Sequence, residues 1–99
     1  MVNTGRAYDE RVKVFSKIGE LIGTARFAGQ ARKSQRGGLW AWGGHLYDTS
    51  YDVRRAWGSR EIELVLEDGA VGEAVVTLVK MGSHSSRIEL LGKGIPPRE

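Results

Sequence analysis

A chain of 99 residues with 40% hydrophobic and 27% charged residues has the composition of one folded domain with a small core, outside the low-hydrophobicity regime of disordered chains. It contains no cysteine, which excludes disulfides, thiolate nucleophiles and Cys-based zinc sites. No apolar run approaches the roughly 20 residues of a membrane-spanning helix, and the opening MVNTGRAYDERVKVF has no apolar signal core, so a cytoplasmic protein without membrane contact is expected. The net charge of +3 is unevenly spread, with eight Lys or Arg against three acids in residues 1–36 and seven against nine in the remainder.

The first segment, ERVKVFSKIGELIG, admits two readings. As a strand it turns Val12 and Val14 inward and reverses near Lys17 to Gly19. As an amphipathic helix it places Tyr8, Val12, Phe15, Ile18 and Ile22 on one side, capped by Gly23. The strand is favoured because Gly19 weakens the helix and β-branched residues fit a strand. From Leu21 the chain alternates, with Leu21, Gly23, Ala25, Phe27, Gly29 and Ala31 on the small or apolar face, the period of two of a half-buried strand.

The aromatic stretch RGGLWAWGGHLYD, Arg36 to Asp48, comes next. On a strand Trp40, Trp42, Gly44 and Leu46 share one face, with Leu39, Ala41, Gly43, His45 and Tyr47 on the other. In TSYDVRRAWG, Ser50 as N-cap, Asp52 in the first turn and Gly58 as stop predict one short helix, with Trp57 as its anchor. REIELVLED then alternates with Ile62, Leu64 and Leu66 inward and Glu61, Glu63 and Glu67 outward. Asp68-Gly69 is a turn signal, and GEAVVTLVKM is apolar on both faces, as for a central or wall-crossing strand. SRIELLGKG puts Ile88 and Leu90 on one face, and the prolines of IPPRE end the ladder.

The expected architecture is a single mainly β domain over residues 1–99, a small antiparallel barrel or rolled sheet of about six strands with one short helix. The alternative is an α+β fold with an N-terminal helix on a five-stranded antiparallel sheet. The stretches AYD (Ala7–Asp9), GGLWAWGGHL (Gly37–Leu46), GEAVVTL and ELLGKGIPP together resemble an uncharacterised family of small bacterial β domains, found alone or at the C-terminal end of flavin-dependent monooxygenases. The chain departs from that pattern where Ala41 and Gly43 flank Trp42 and where Arg98 follows the prolines. The resemblance implies a fold and a genomic habit, without an activity.

No catalytic or metal constellation emerges. His45 and His84 are the only histidines, and neither has a partner at metal-ligand spacing. The serines of GSHSSR beside His84 read as a hairpin loop, since adjacent residues on an extended chain do not face each other. GAVGEA leads into a strand where a phosphate loop leads into a helix. The two central tryptophans have two readings: bulk for a small core, with the facing glycines leaving room for them, or the wall of a pocket.

The function expected is a non-catalytic module that binds a small ligand or a protein and needs no cofactor or metal. Its site residues would be Trp40, Trp42, His45, Tyr47, Arg54 and Arg55, the arginines holding the carboxylate of an apolar or aromatic anion. A homodimer through a free strand edge is also expected. The alternative is nucleic-acid binding through Arg26, Arg32, Lys33 and Arg36 with an exposed tryptophan.

Overall fold

The computed structural model describes residues 5–33, 38–49, 60–81 and 86–97. Six strands, β1 (Gly5–Ser16), β2 (Leu21–Lys33), β3 (Trp40–Tyr47), β4 (Glu61–Val65), β5 (Val71–Met81) and β6 (Ser86–Lys93), close into an antiparallel barrel in the order β1-β2-β3-β6-β5-β4. The chain runs up and down through β1, β2 and β3. β4 then returns beside β1, the spatial order of a Greek key, and β5 and β6 complete the wall against β3. The mainly β barrel is as the alternation predicts. The N-terminal helix of the α+β alternative is overturned, because residues 5–15 pair with β2 as a strand. The predicted helix at 50–58, with Arg54, Arg55 and Trp57, lies outside the described residues, as do Arg36 and His84.

A barrel of this size is filled by its own side chains. Tyr8, Val12 and Val14 from β1, Ala25, Phe27 and Ala31 from β2, Trp42 and Leu46 from β3, Ile62, Leu64 and Leu66 from β4 onward, Ala74 and Val76 from β5, and Ile88 and Leu90 from β6 are all buried. No polar or charged side chain among the described residues joins them. Tyr8 and Phe27 pack at 5.4 Å between ring centroids, and Phe27 meets Trp42 edge-on at 6.1 Å, the T-shaped arrangement that ring quadrupoles favour.

Two irregularities correct the alternation. The register between β1 and β2 shifts after Val14, whose partner is Gly23, to Phe15, whose partner is Leu21. Ile22 becomes the extra residue and turns inward, 6% exposed, while Leu21, expected inside, stands 58% exposed. A second shift between Val76 and Leu78 moves the inward set of β5 from Val76 to Val79, which packs on the core, and leaves Leu78 outside. This accounts for the two-sided apolar look of that strand: its first half uses one parity and its second half the other.

The turns follow their local chemistry. Gly19 at φ 87° closes the β1–β2 hairpin, with Ser16 N donating to the Glu20 carbonyl at 2.8 Å. Gly69 at φ 90° closes β4 to β5, supported by Ala70 N donating to Asp68 Oδ1 at 3.0 Å, the Asx interaction that favours Asp-Gly here.

Candidate functional site

The site residues predicted from the sequence divide between the two faces of β3. Trp42 points inward and is 3% exposed. Trp40, two residues earlier on the same face, is half-buried at the barrel end and packs against the core. His45 and Tyr47 point outward, their rings 5.7 Å apart. A single ligand cannot touch Trp42 and the His45–Tyr47 pair together, because the sheet lies between them.

Tyr47 of this outer pair belongs to a polar network. Tyr47 Oη donates to Asp9 Oδ1 at 2.9 Å, Arg26 Nε donates to Tyr47 Oη at 3.2 Å, and Arg26 Nη2 donates to Asp9 Oδ1 and to the Asp9 carbonyl, each at 3.3 Å. The hydrogen bonds from Tyr47 and Arg26 hold the Asp9 carboxyl below its ordinary pKa. Beside it Arg11 Nη2 reaches Asp48 Oδ2 at 2.6 Å. Arg26, one of the four residues of the nucleic-acid reading, is therefore engaged across three strands and is not a free phosphate contact.

The other end of β3 differs. The cross-strand register sets Arg6, Ala31 and Trp42 on one rung and Lys33 opposite Trp40 two rungs further on. Lys33 Nζ lies 5.8 Å from the Trp40 ring centroid, over its face, within cation–π range. An open cleft of about 300 Å³ lined by Gly5, Arg6, Ala7, Gln30, Ala31 and Arg32 flanks the same end. Lys33, Arg6 and an accessible indole thus share one face where the barrel opens, while Arg32, opposite Ala41, stands on the outer face.

The glycines beside Trp42 were expected to leave empty volume, and here the expectation is corrected. A Cβ on Gly43 would lie 2.8 Å from the Leu90 carbonyl oxygen, and one on Gly44 would run into the Ala28 carbonyl. The main chain of neighbouring strands fills those gaps. Room for the indole comes from glycines the sequence did not single out. A Cβ on Gly92 would fall within the Trp42 ring system, and one on Gly72 would lie 2.9 Å from Trp42 Cζ-side atom Cη2 and 2.5 Å from Pro97 Cγ. Trp42 therefore lies across the bare backbone of β6 and reaches β5. The residues after β6 cover this end: Gly94 at φ 66° turns the chain, Ile95 is 62% exposed, Pro96 is buried and Pro97 is half-buried. The prolines were expected only to end the ladder, and they also fold back on the barrel. The signal available for this was a glycine followed by an apolar residue and two prolines.

A third cluster is structural. Glu61 accepts from Lys17 Nζ at 2.9 Å and from Lys93 Nζ at 3.0 Å, beside a cleft of about 90 Å³. These two lysines hold its carboxyl down to about 2. Because the folded value lies below the ordinary value of 4.5, the contribution is fully present above pH 4.5 and is lost as pH falls from there toward 2. Glu61→Gln should accordingly flatten the decline of stability across that window in acid titrations followed by circular dichroism. An unchanged slope would show that the clamp is screened away by solvent.

Among the described residues no group of three His, Asp or Glu side chains is placed to hold a metal ion, and no helix is long and apolar enough to cross a membrane. No protein-family model, curated protein or solved structure matches this chain.

Proposed function

We propose that the protein is a non-catalytic binding module whose site is the barrel end carrying Trp40, Lys33 and Arg6, and that it takes an apolar or aromatic ligand bearing negative charge. The observation that carries this reading is the Lys33 ammonium over the half-buried Trp40 ring, 5.8 Å from its centroid, at the mouth of a barrel whose interior is filled. With the interior occupied, recognition falls to the rim, where an apolar body can lie on the indole and its anionic group can face Lys33 and Arg6. These cations take the part that the sequence assigned to Arg54 and Arg55.

A thermal-stability screen of aromatic acids, fatty acids and flavins tests the reading. A ligand at about 100 times its Kd should add about 2.7 kcal/mol, and Lys33→Gln should remove most of that gain. Duplex and single-stranded DNA belong in the same screen, since Lys33 over Trp40 also suits a stacked base. If only DNA stabilises the protein, and does so less at raised salt, the nucleic-acid reading replaces this one.

Dimerisation through a free strand edge is proposed at β1. β6 pairs on both sides, with β3 and β5, so it offers no free edge. Among the described residues the stretch of β1 from Gly5 to Ala7 is laddered to β2 and to no other strand, and a second copy would add there. Constant monomer mass in light scattering of the screened samples would remove this element of the reading.

A further inference from the structure

The end of the barrel that holds Trp42 already has an occupant, the chain's own Ile95–Pro97 strap. We infer that this end is a recognition site for an extended, proline-containing peptide segment flanked by acidic residues, and that the strap is its occupant in cis. The inference rests on the binding reading above and names the class of partner.

Three observations support it. First, Pro97 and the Trp42 indole rest over the same point of β5: a Cβ on Gly72 would lie 2.5 Å from Pro97 Cγ and 2.9 Å from Trp42 Cη2. A proline ring against an indole edge, on a strand stripped of its side chain, is the contact by which aromatic-lined grooves take proline-rich segments, whose extended form is preorganised and loses little entropy on docking.

Second, the strap leaves the site's polar group unmet. Among the described residues Trp42 Nε1 is buried with no hydrogen-bond partner, in a side chain 3% exposed. A buried donor without an acceptor is costly and uncommon in native structures. The strap has a proline at both positions that pack on the barrel, and its carbonyls do not reach the indole. A segment in trans that sets its prolines slightly differently can supply both the ring contact and a carbonyl acceptor for the indole N–H, and so has an advantage that the cis occupant lacks.

Third, the strap is held lightly. It follows a glycine at φ 66° whose Cβ position has nothing within 4 Å, its isoleucine is 62% exposed, and prolines have no N–H to tie them to a neighbouring strand. Of the strap only Pro96 is buried, and a short segment without N–H groups at its two packing positions opens ahead of the hydrogen-bonded barrel. Acidic flanks follow from the cations already placed here: Arg6 shares a rung with Trp42 through Ala31, and Lys33 stands two rungs further out.

The test uses the full chain and a blocked synthetic peptide, Asp-Ile-Pro-Pro-Asp, with its Asp-Ile-Ala-Ala-Asp counterpart as control. Binding is followed on the indole N–H resonances, with Trp42 assigned through Trp42→Phe. Two variants weaken the strap without altering the barrel wall: Pro96→Ser with Pro97→Ser, and Gly94→Ala, which strains the turn while adding a methyl to open space. Because a competing cis occupant lowers apparent affinity by the fraction of time it is docked, both variants should bind the proline peptide at least tenfold more tightly than wild type. The Trp42 indole proton should move downfield as it gains an acceptor, and the alanine peptide should not bind.

Should the serine variant lose its dispersed spectrum, Gly94→Ala alone decides. Equal affinity in wild type and variant, or binding that leaves the Trp42 indole resonance in place, overturns the inference. If aromatic acids bind through Lys33 and the peptide binds to no variant, the inference fails and the binding-module reading stands. If neither class binds, both fail.

Discussion

Trp42→Ala is expected to remove most of the stability of the domain. Truncating a buried tryptophan costs about 3 to 5 kcal/mol, against a total of roughly 5 to 15 kcal/mol for natural domains, with small ones at the lower end. The site has little means of collapsing into the void. Phe27 meets the ring edge-on and is itself fully buried, while the other walls are the backbone at Gly92 and Gly72 and the ring of Pro97, none of which can swing a side chain into the space. Trp40→Ala should cost clearly less, because Trp40 is half-buried and packs only on the margin of the core, beside Lys33. Urea midpoints of the two variants give the comparison. A larger loss at Trp40 than at Trp42 would contradict the assignment of Trp42 as the centre of the core.

Much of the fold was legible because strict alternation leaves few choices. Ile62, Leu64 and Leu66 on one side and Ile88 and Leu90 on another are buried as their spacing requires, since a slip of one residue would expose every one of them. The failures sit where the period breaks. Nothing in Leu21-Ile22 announces that the register shifts there, because a bulge is set by the pairing strand and not by the residues that form it. Closure was equally hidden: whether β6 ends as a free edge or meets β3 depends on strand tilt and stagger, which have no local signature.

The site was legible by face and illegible by depth. Alternation alone separates His45 and Tyr47 from the tryptophans. That Trp42 is enclosed while Trp40 is half-open follows from where the strap lands, a contact between positions more than fifty residues apart in the chain. That Lys33 and Arg6 stand at the end of the barrel with the tryptophans follows from the cross-strand register, while Arg54 and Arg55, where the sequence placed the cations, lie outside the described residues. Residues distant in sequence share a rung, and no spacing rule within one strand reveals it.

The glycines carry the second large expected effect, and it separates two roles that a sequence presents identically. Gly44 lies opposite Gly29 in the β2–β3 register, and a Cβ added to it would run into the Ala28 carbonyl and lie 2.5 Å from Gly29 Cα and 2.9 Å from the Ala28 carbonyl carbon. Every one of these atoms is main chain in a neighbouring strand, so relief requires β2 and β3 to separate and not a side chain to rotate. The backbone at Gly29 is closely approached as well, since a Cβ there would run into the Gly43 carbonyl and the Phe27 ring. Overpacking typically costs about 1 to 3 kcal/mol and more where backbone must move, so Gly44→Ala is expected at roughly 3 kcal/mol or above. Gly69 provides the contrast: a Cβ there meets nothing within 4 Å, and the substitution is opposed only by its φ of 90°, a strain of about 1 to 2 kcal/mol. Denaturant midpoints for the two alanine variants therefore measure close approach against conformational preference. If Gly44→Ala proves no more costly than Gly69→Ala, strands β2 and β3 do not pack backbone to backbone at this crossing, and the volume beside Trp42 is open to a ligand after all.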